Sequence, residues 1–202
     1  MNKTNQQSLS LDALRAGDRA EYARLVENYY QFVYRLALKM LGNPQDAEDI
    51  LQDTFIKVFR HLDTFDGRSN LSTWIYRIAV NEALMFLRKK QPELVSIDQP
   101  VETDEGEQDP VQIVDWCCLP ENELMSSEAK AHLDQAMSSL PPGLRAVFIL
   151  RDIQGLSTRE TSEVLNISEM AVKTRLSRAR LRLRELLTEY FGERLVERKS
   201  PS

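Results

Sequence analysis

Apolar residues recur every three or four positions along most of this chain, which is the spacing of one face of an α-helix. After a short helical stretch at residues 9–17, one long pattern begins behind Asp18 and ends at Gly42. The next begins at Asn43-Pro44 and extends to about Leu62. Asp and Asn commonly cap a helix, Pro favours its first position and Gly its exit. No stretch favours a strand, so the pattern predicts an all-α fold.

The second long helix is predicted to be amphipathic. Its inward face is expected to contain apolar side chains and one threonine: Ala47, Ile50, Leu51, Thr54, Phe55, Val58, Phe59 and Leu62. Its outer face carries Asp49, Gln52, Asp53 and Ile56. An acidic face of this kind is usually just solvated, but it could equally bind a partner protein.

A polar loop at residues 63–70 precedes a third long helix, which Ser72 or Thr73 is expected to cap and which extends to about Lys90. Its expected core includes Trp74. Its polar side is left with aromatic, amide and charged residues: Tyr76, Arg77, Asn81, Glu82, Arg88, Lys89 and Lys90. Aromatic and cationic side chains beside a loop could stack on unpaired bases and neutralise phosphate. A buried Trp74 with a solvated basic helix end is the simpler alternative.

Residues 156–187 contain two helical patterns joined by a tight turn. Ser157 and Glu160 have the spacing of a capping box. Asn166 tolerates the left-handed conformation of a helix exit, and Ser168 can cap the second helix. An apolar seam is expected from Val164, Leu165, Ile167, Val172, Leu176 and Ala179. Off that seam lie hydroxyl and cationic residues: Lys173, Thr174, Arg175, Ser177, Arg178, Arg180, Arg182 and Arg184. The pattern predicts a helix-turn-helix whose second helix suits a DNA major groove, although two structural helices with a solvated cationic side remain the alternative.

An acidic segment divides the chain. Between Lys90 and Lys130 there is no Lys or Arg, and acidic residues and four prolines are spread through the segment. Such a composition favours a flexible linker over a packed core. We therefore predict two small helical domains, residues 9–90 and 127–192, joined by a flexible acidic linker at 91–126. Beyond the linker, a helix is expected up to Leu140 and another across residues 144–153. With no evident interface between them, the domains are expected to tumble semi-independently.

The 202 residues carry a formal net charge of −5, which argues against a generally basic nucleic-acid coat. No run of about 18 apolar residues is present and the first ten residues are polar, so we expect no direct membrane insertion and no signal peptide. This points to the cytoplasm. The two cysteines are the adjacent Cys117 and Cys118, and neither they nor His61 and His132 form a metal-ligand spacing. No catalytic constellation is found, so we expect no metal, no cofactor and no enzyme activity.

Two blocks on either side of the acidic segment resemble bacterial RNA polymerase sigma factors of the extracytoplasmic-function class, within the sigma-70 family. NPQDAEDILQDTFIKVFRHLDTFDGRSNLSTWIYRIAVNEALMFLRK is similar to the second sigma domain, and LPPGLRAVFILRDIQGLSTRETSEVLNISEMAVKTRLSRARLRLRELL to the fourth. The chain departs from the family pattern at Thr161-Ser162, which often is Ile-Ala, and at Asn166, which usually is Gly. Met170-Ala171 replaces a Gly-Thr that is frequent before Val172 of the second helix of the motif.

The resemblance implies a factor that binds core RNA polymerase, recognises promoter DNA and is controlled by an anti-sigma factor. Core polymerase, through the clamp of its largest subunit, would bind Asp49, Gln52, Asp53 and Ile56. The fourth domain would meet the flap of the second-largest subunit. The −10 element would be bound by Phe65, Arg68, Ser69, Asn70, Trp74, Tyr76, Arg77, Asn81 and Arg88. The −35 element would be bound by Ser168, Lys173, Thr174, Arg175, Ser177, Arg178 and Arg180.

Two other classes of function were weighed. A helix-turn-helix regulator that acts without polymerase would explain residues 156–187 but not the TWIYRIAVN run at residues 73–81. An enzyme acting on nucleic acid would require metal ligands or an acid/base pair, and the sequence offers no recognisable set of either. The first alternative predicts binding to duplex DNA by the chain alone, whereas a sigma factor should bind a promoter strongly only together with core polymerase.

Overall fold

The computed structural model describes residues 9–67, 69–90 and 127–197. Within these ranges the chain is helical and contains no strand, which confirms the all-α prediction. The helices are α1 (Leu11–Arg15), α2 (Arg19–Leu41), α3 (Pro44–His61), α4 (Leu71–Lys90), α5 (Ser127–Ser138), α6 (Pro142–Phe148), α7 (Thr158–Leu165) and α8 (Glu169–Glu197). A 3₁₀ turn, Leu62–Thr64, follows α3, and a π-helical segment, Ile149–Ile153, continues α6. The predicted linker, Arg68, Cys117 and Cys118 lie outside the described residues.

The ends of the first long helices follow the predicted capping chemistry. The Asp18 carboxylate accepts hydrogen bonds from the second and third amides of α2, and the Asn43 side chain does the same for α3. Gly42 closes α2 in the left-handed region at a φ of 72°. The predicted start of α4 was wrong by two or three residues, because the helix begins at Leu71 and Thr73 is buried in its first turn.

The N-terminal domain packs α2, α3 and α4 around a common apolar core. The Tyr22 hydroxyl donates to the Phe55 carbonyl and ties α2 to α3. The predicted inward face of α3 is confirmed except at Phe59, which is 57% exposed and makes only an edge contact with the Tyr22 ring, at 5.1 Å between centroids. At about 100° per residue, Phe59 lies at the margin of the α3 apolar stripe rather than at its centre. Its position at this margin explains the exposure.

The C-terminal domain arranges α5, α6 and α7 around α8. One small cluster joins α5 to α8 through Met137, Leu140 and Leu183, and a second joins α6 to α8 through Val147 and Val172. The chain leaves the π-helical segment through a left-handed glycine, Gly155, with a φ of 73°. This turn directs the chain into α7.

The two domains share one apolar core. Five buried residues of the C-terminal domain belong to the same cluster as the core of α2, α3 and α4: Ala146, Ile149, Leu150, Leu156 and Val164. The Tyr76 hydroxyl lies 3.4 Å from Gln154 Oε1, and Lys39 forms an ion pair with Asp134 at 3.7 Å. The domains therefore pack against each other in this structure, and semi-independent tumbling in solution stays a prediction. The apolar positions of α6 and α7 face two ways, one set toward α8 and the other toward the N-terminal domain.

A buried guanidinium connects the ends of two helices from different domains. Arg145 of α6 is 7% exposed and donates to three main-chain carbonyls: Met40 at 2.6 Å, Leu140 at 2.9 Å, and Ser138. The residues four positions beyond Met40 and Ser138 are Pro44 and Pro142, which have no N–H to offer. Arg145 therefore supplies donors that the helical ladders of α2 and α5 lack, and its positive charge suits the negative ends of both helices.

Candidate nucleic-acid interface

The structure confirms the helix-turn-helix. Glu160 N–H donates to Ser157 Oγ at 3.1 Å and Ser157 N–H donates to Glu160 Oε2 at 2.8 Å, which completes the capping box at the start of α7. The bond from the Ser157 N–H is the main cause that lowers the pKa of Glu160 below its usual range, with smaller contributions that include the side chain of Asn70. Asn166 ends α7 with a φ of 52°, and Ser168 Oγ accepts from the Ala171 N–H at 3.1 Å to start α8.

Helix α8 has a buried side and a cationic side, as the pattern predicted. Its buried side consists of Val172, Leu176, Ala179 and Leu183. Of the residues predicted to contact the −35 element, Ser168, Lys173, Ser177 and Arg178 are exposed, and Thr174 and Arg175 are half-buried. This arrangement brings hydroxyl and cationic groups onto one accessible surface, which is the composition that contacts phosphates and base edges.

Arg180 has a structural contact that the sequence did not indicate. Its Nε and Nη2 donate to the two carboxylate oxygens of Asp152, at 2.8 and 2.7 Å. A two-bond ion pair of this kind fixes both distance and orientation. Arg180 therefore holds α8 against the π-helical segment.

Sequence reasoning missed two exposed apolar residues on α8. Met170, in its first turn, is 70% exposed, and Leu181 is 49% exposed. In the sequence, Met170 stands out only as a departure from the family pattern. The signal that could have identified both residues is their position opposite the apolar seam, which follows from helical periodicity.

A cavity opens beside the loop between α3 and α4. It measures about 460 Å³ and is lined by α1, α2, the loop and the start of α4, with Asn28, Ser69, Asn70 and Ser72 among its polar groups. Arg15 Nη2 donates to the Phe65 carbonyl at 2.6 Å and holds one side of the loop. The loop is thus anchored at its base and offers polar groups at its rim.

The structure divides the residues predicted to contact the −10 element. Ser69 and Trp74 are half-buried, whereas Asn70, Arg77, Asn81 and Arg88 are exposed. Arg68 lies outside the described residues. The accessible members occupy the rim of the loop and the outer side of α4.

Phe65 and Tyr76, which are also predicted to contact the −10 element, are buried in this arrangement of the domains. Phe65 is 4% exposed and its ring packs against Trp74, with 5.4 Å between centroids. Tyr76 is 7% exposed beneath the C-terminal domain, and burial raises its pKa to about 12. Both rings fill the interior, Phe65 as support for the loop and Tyr76 as part of the contact between domains.

The outer face of α3 is accessible as predicted. Asp49, Gln52 and Asp53 are exposed and Ile56 is 47% exposed. Phe59 adds a large apolar surface beside them. The face therefore combines carboxylates with two accessible apolar side chains.

Sequence profiles of two families match the chain. The profile of Sigma-70 region 2 matches residues 25–93, and that of Sigma-70, region 4 matches residues 131–183. The ECF RNA polymerase sigma factor SigW of Bacillus subtilis strain 168 is 39% identical over 176 residues, which cover 87% of this chain and 94% of that protein. This chain belongs to the ECF RNA polymerase sigma factors. A sigma-E factor of Haemophilus influenzae is 31% identical over 174 residues, covering 84% of this chain and 89% of that protein.

Solved structures of this sigma factor fold superpose well on the chain. CnrH, determined in complex with the cytosolic domain of CnrY, has a TM-score of 0.64 and 23% identity, covering 89% of this chain and 95% of that one. The sigma factor RpoE of Bartonella quintana, determined in complex with the anti-sigma factor NepR, has a TM-score of 0.61 and 24% identity, covering 83% of this chain and 97% of that one. Both similarities support the fold of two helical sigma domains.

In the described part of this sigma factor, no group of three or more His, Cys, Asp or Glu side chains is placed to hold a metal ion. None of its described helices is both long enough and apolar enough to cross a membrane.

Proposed function

We propose that this sigma factor binds core RNA polymerase through α3, recognises the −10 element with the loop before α4 and with α4 itself, and recognises the −35 element with α8. It thereby directs transcription initiation. The observation that carries this proposal is the accessible hydroxyl and cationic side of α8, held by a capped turn behind α7 in a chain that also contains Sigma-70 region 2. We place its action in the cytoplasm, without a cofactor and without enzymatic chemistry of its own.

The α3 face supports docking on a basic partner surface. Exposed carboxylates of Asp49 and Asp53 supply charge complementarity, which guides association and orientation. Ile56 and Phe59 supply accessible apolar area, and apolar anchors inside a polar rim commonly carry much of the binding free energy. The partner that fits, given the family, is the clamp of the polymerase's largest subunit, while the flap of the second-largest subunit would bind the C-terminal domain.

The cavity beside the loop supports capture of one unpaired base of the −10 element. Extrusion of a base from a duplex costs a few kcal/mol, and a fitted pocket can return that cost. The rim residues Ser69 and Asn70 offer the amide and hydroxyl groups that bind a base edge. Arg77 and Arg88 on the outer side of α4 would neutralise phosphates, and Asn81 would add a neutral hydrogen-bonding group.

The shared core has a consequence for promoter binding. The −10 and −35 elements lie about 25 base pairs apart, which is roughly 85 Å of B-DNA. In the structure α4 contacts α7 directly. The domains must therefore separate before both elements can be bound at once. An anti-sigma protein that touches both domains would hold them together, and we propose this as the mode of control.

In vitro transcription with core polymerase tests the proposed function. A library of duplexes with randomised −10 and −35 elements is transcribed with core polymerase plus this chain, and the transcribed promoters are sequenced. We expect a single enriched pair of elements that neither core nor chain alone selects. The same library is also incubated with the chain alone and the bound duplexes are sequenced; enrichment there would show instead an independent helix-turn-helix regulator. No enrichment under either condition would reject both functions.

A further inference from the structure

We propose that Met170 contacts the 5-methyl group of a thymine in the −35 element and so determines part of the promoter preference. The inference deepens the proposed function of α8 and rests on it. It assigns a specificity role to a residue at which this chain departs from the usual family pattern.

The first observation is the accessibility of Met170. Its side chain is 70% exposed, the largest exposure among the large apolar residues that the structure describes. None of the apolar clusters formed by the described residues includes it. A single exposed apolar residue needs no explanation by itself. The position of Met170 on α8 is what points to a functional role for it.

The second observation is the order of side chains around α8. At about 100° per residue, Met170, Thr174 and Leu181 project within roughly 30° of the direction opposite the buried seam. Between residues 170 and 181 they form a neutral ridge, and Glu185, about one turn beyond Leu181, projects in the same direction. Cations flank the ridge on both sides, Lys173 and Arg184 on one and Arg178 and Arg182 on the other.

This arrangement matches the cross-section of a major groove. A helix with its side chains is about 10–12 Å wide and the groove is about 12 Å wide, so the ridge meets base edges while the flanks meet phosphates of the two strands. In helix-turn-helix proteins the N-terminal residues of the second helix make the base contacts. Met170 occupies that end, directly after the Ser168 cap.

The chemistry of the groove then identifies the ligand. The major-groove edges of A, G and C present hydrogen-bonding groups, and thymine alone adds a methyl group. The thioether side chain of Met170 has no N–H or O–H to donate and is only a weak acceptor. The thymine methyl is therefore the base feature that fits it. Leu181 lies 11 residues further along, about 16 Å by helical rise, too far to share the same base step.

Replacement of thymine by deoxyuridine tests the contact, because it removes only the methyl group. Each thymine of the selected −35 element is replaced singly, and affinity of the holoenzyme for the promoter is measured. At one position, replacement of thymine by deoxyuridine should weaken promoter binding by wild-type holoenzyme about fourfold, which is the effect of one buried methyl group. Met170→Ala holoenzyme should show no loss at that position. Met170→Leu keeps an apolar side chain, and Leu181→Ala is the matched control. Holoenzyme with either variant should still bind the deoxyuridine promoter more weakly than the thymine promoter.

Several results would overturn the inference. The same deoxyuridine effect in Met170→Ala holoenzyme would do so, as would an effect that disappears in Leu181→Ala or a selected element without a sensitive thymine. Core binding and helical content of Met170→Ala should equal those of the wild type, since the side chain packs in no core. Failure to select any −35 element would count against the proposed function of α8. This outcome is distinguishable from failure of the Met170 contact, because without a selected element no deoxyuridine scan could begin.

Discussion

Replacement of Arg145 by Met should lower the free energy of unfolding by about 3 kcal/mol, even though it removes a buried charge. Burial lowers the pKa of this guanidinium, and its Nε finds no partner among the described residues, so the charge itself is costly. Replacing a buried ion pair with apolar groups is often neutral for that reason. Here, however, the acceptors are main-chain carbonyls, which no side-chain substitution removes.

The magnitude follows from the carbonyls that Arg145→Met leaves without donors. The bonds to Met40 and Leu140 are buried, and the bond to Ser138 is partly buried. A buried polar group without a partner costs about 1–3 kcal/mol, so the two buried carbonyls account for roughly 2–6 kcal/mol. Relief of the buried charge returns part of this, which leaves about 3 kcal/mol.

Urea unfolding of the full chain, followed by circular dichroism at 222 nm, measures the change. Arg145→Lys is the matched control: it keeps the charge but has one nitrogen, which cannot serve carbonyls at the ends of both helices, so we expect an intermediate loss. An unfolding midpoint for Arg145→Met equal to or above that of the wild type would refute the reasoning. It would mean that the cost of burying the guanidinium exceeds the value of its hydrogen bonds.

Three further predictions concern the two faces and the contact between domains. Asp53→Lys should weaken core polymerase binding at least tenfold by charge reversal, while Glu27→Lys, exposed on α2, should not; equal losses in a pull-down titration would reject the α3 face. Arg178→Ala should weaken promoter binding by holoenzyme by about 1–3 kcal/mol, and Arg19→Ala, remote from α8, should leave it unchanged; unaltered affinity of Arg178→Ala in gel shifts would place the DNA on another side. Burial raises the pKa of Tyr76 from 10.0 to about 12. The neutral phenol therefore contributes fully to the stability of the fold below pH 10, and this contribution is lost as pH rises toward 12. The free energy of unfolding, measured with urea, should therefore fall less steeply between pH 10 and 12 for Tyr76→Phe than for the wild type. Identical slopes would contradict this.

The boundaries of α2, α3 and α7 were predictable because local chemistry sets them. Asp18, Asn43 and Ser157 satisfy amides within three residues, and Gly42 and Asn166 adopt left-handed conformations at helix exits. Each of these interactions depends on a few adjacent residues. A single sequence contains all the information that such interactions need.

The contact between domains was not predictable, because periodicity shows that a face is apolar but not what covers it. Tyr76 has a hydroxyl and lies on the less apolar side of α4, so the pattern placed it in solvent. Only the packing of Gln154 and its neighbours against it makes it interior. Phe59 shows the opposite error, since an aromatic residue at the margin of a stripe is not buried by hydrophobicity alone.

The candidate site shows the same division. Lys173, Ser177 and Arg178 could be identified because their residue types suit DNA and their spacing follows one helix. Arg180 could not be separated from them, since its ion pair with Asp152 joins residues 28 positions apart. Long-range pairing of this kind leaves no local signal in the sequence.

The shared apolar core also determines how the chain would respond to being cut. Cleavage between the domains would leave each half with an uncovered apolar patch, which on the C-terminal half includes Ile149 and Leu150, both fully buried in the intact structure. Each half expressed alone would carry a surface suited to self-association, and the two halves mixed would have a ready complement in each other. During synthesis the N-terminal half, which is made first, would expose its patch until the C-terminal half emerges from the ribosome.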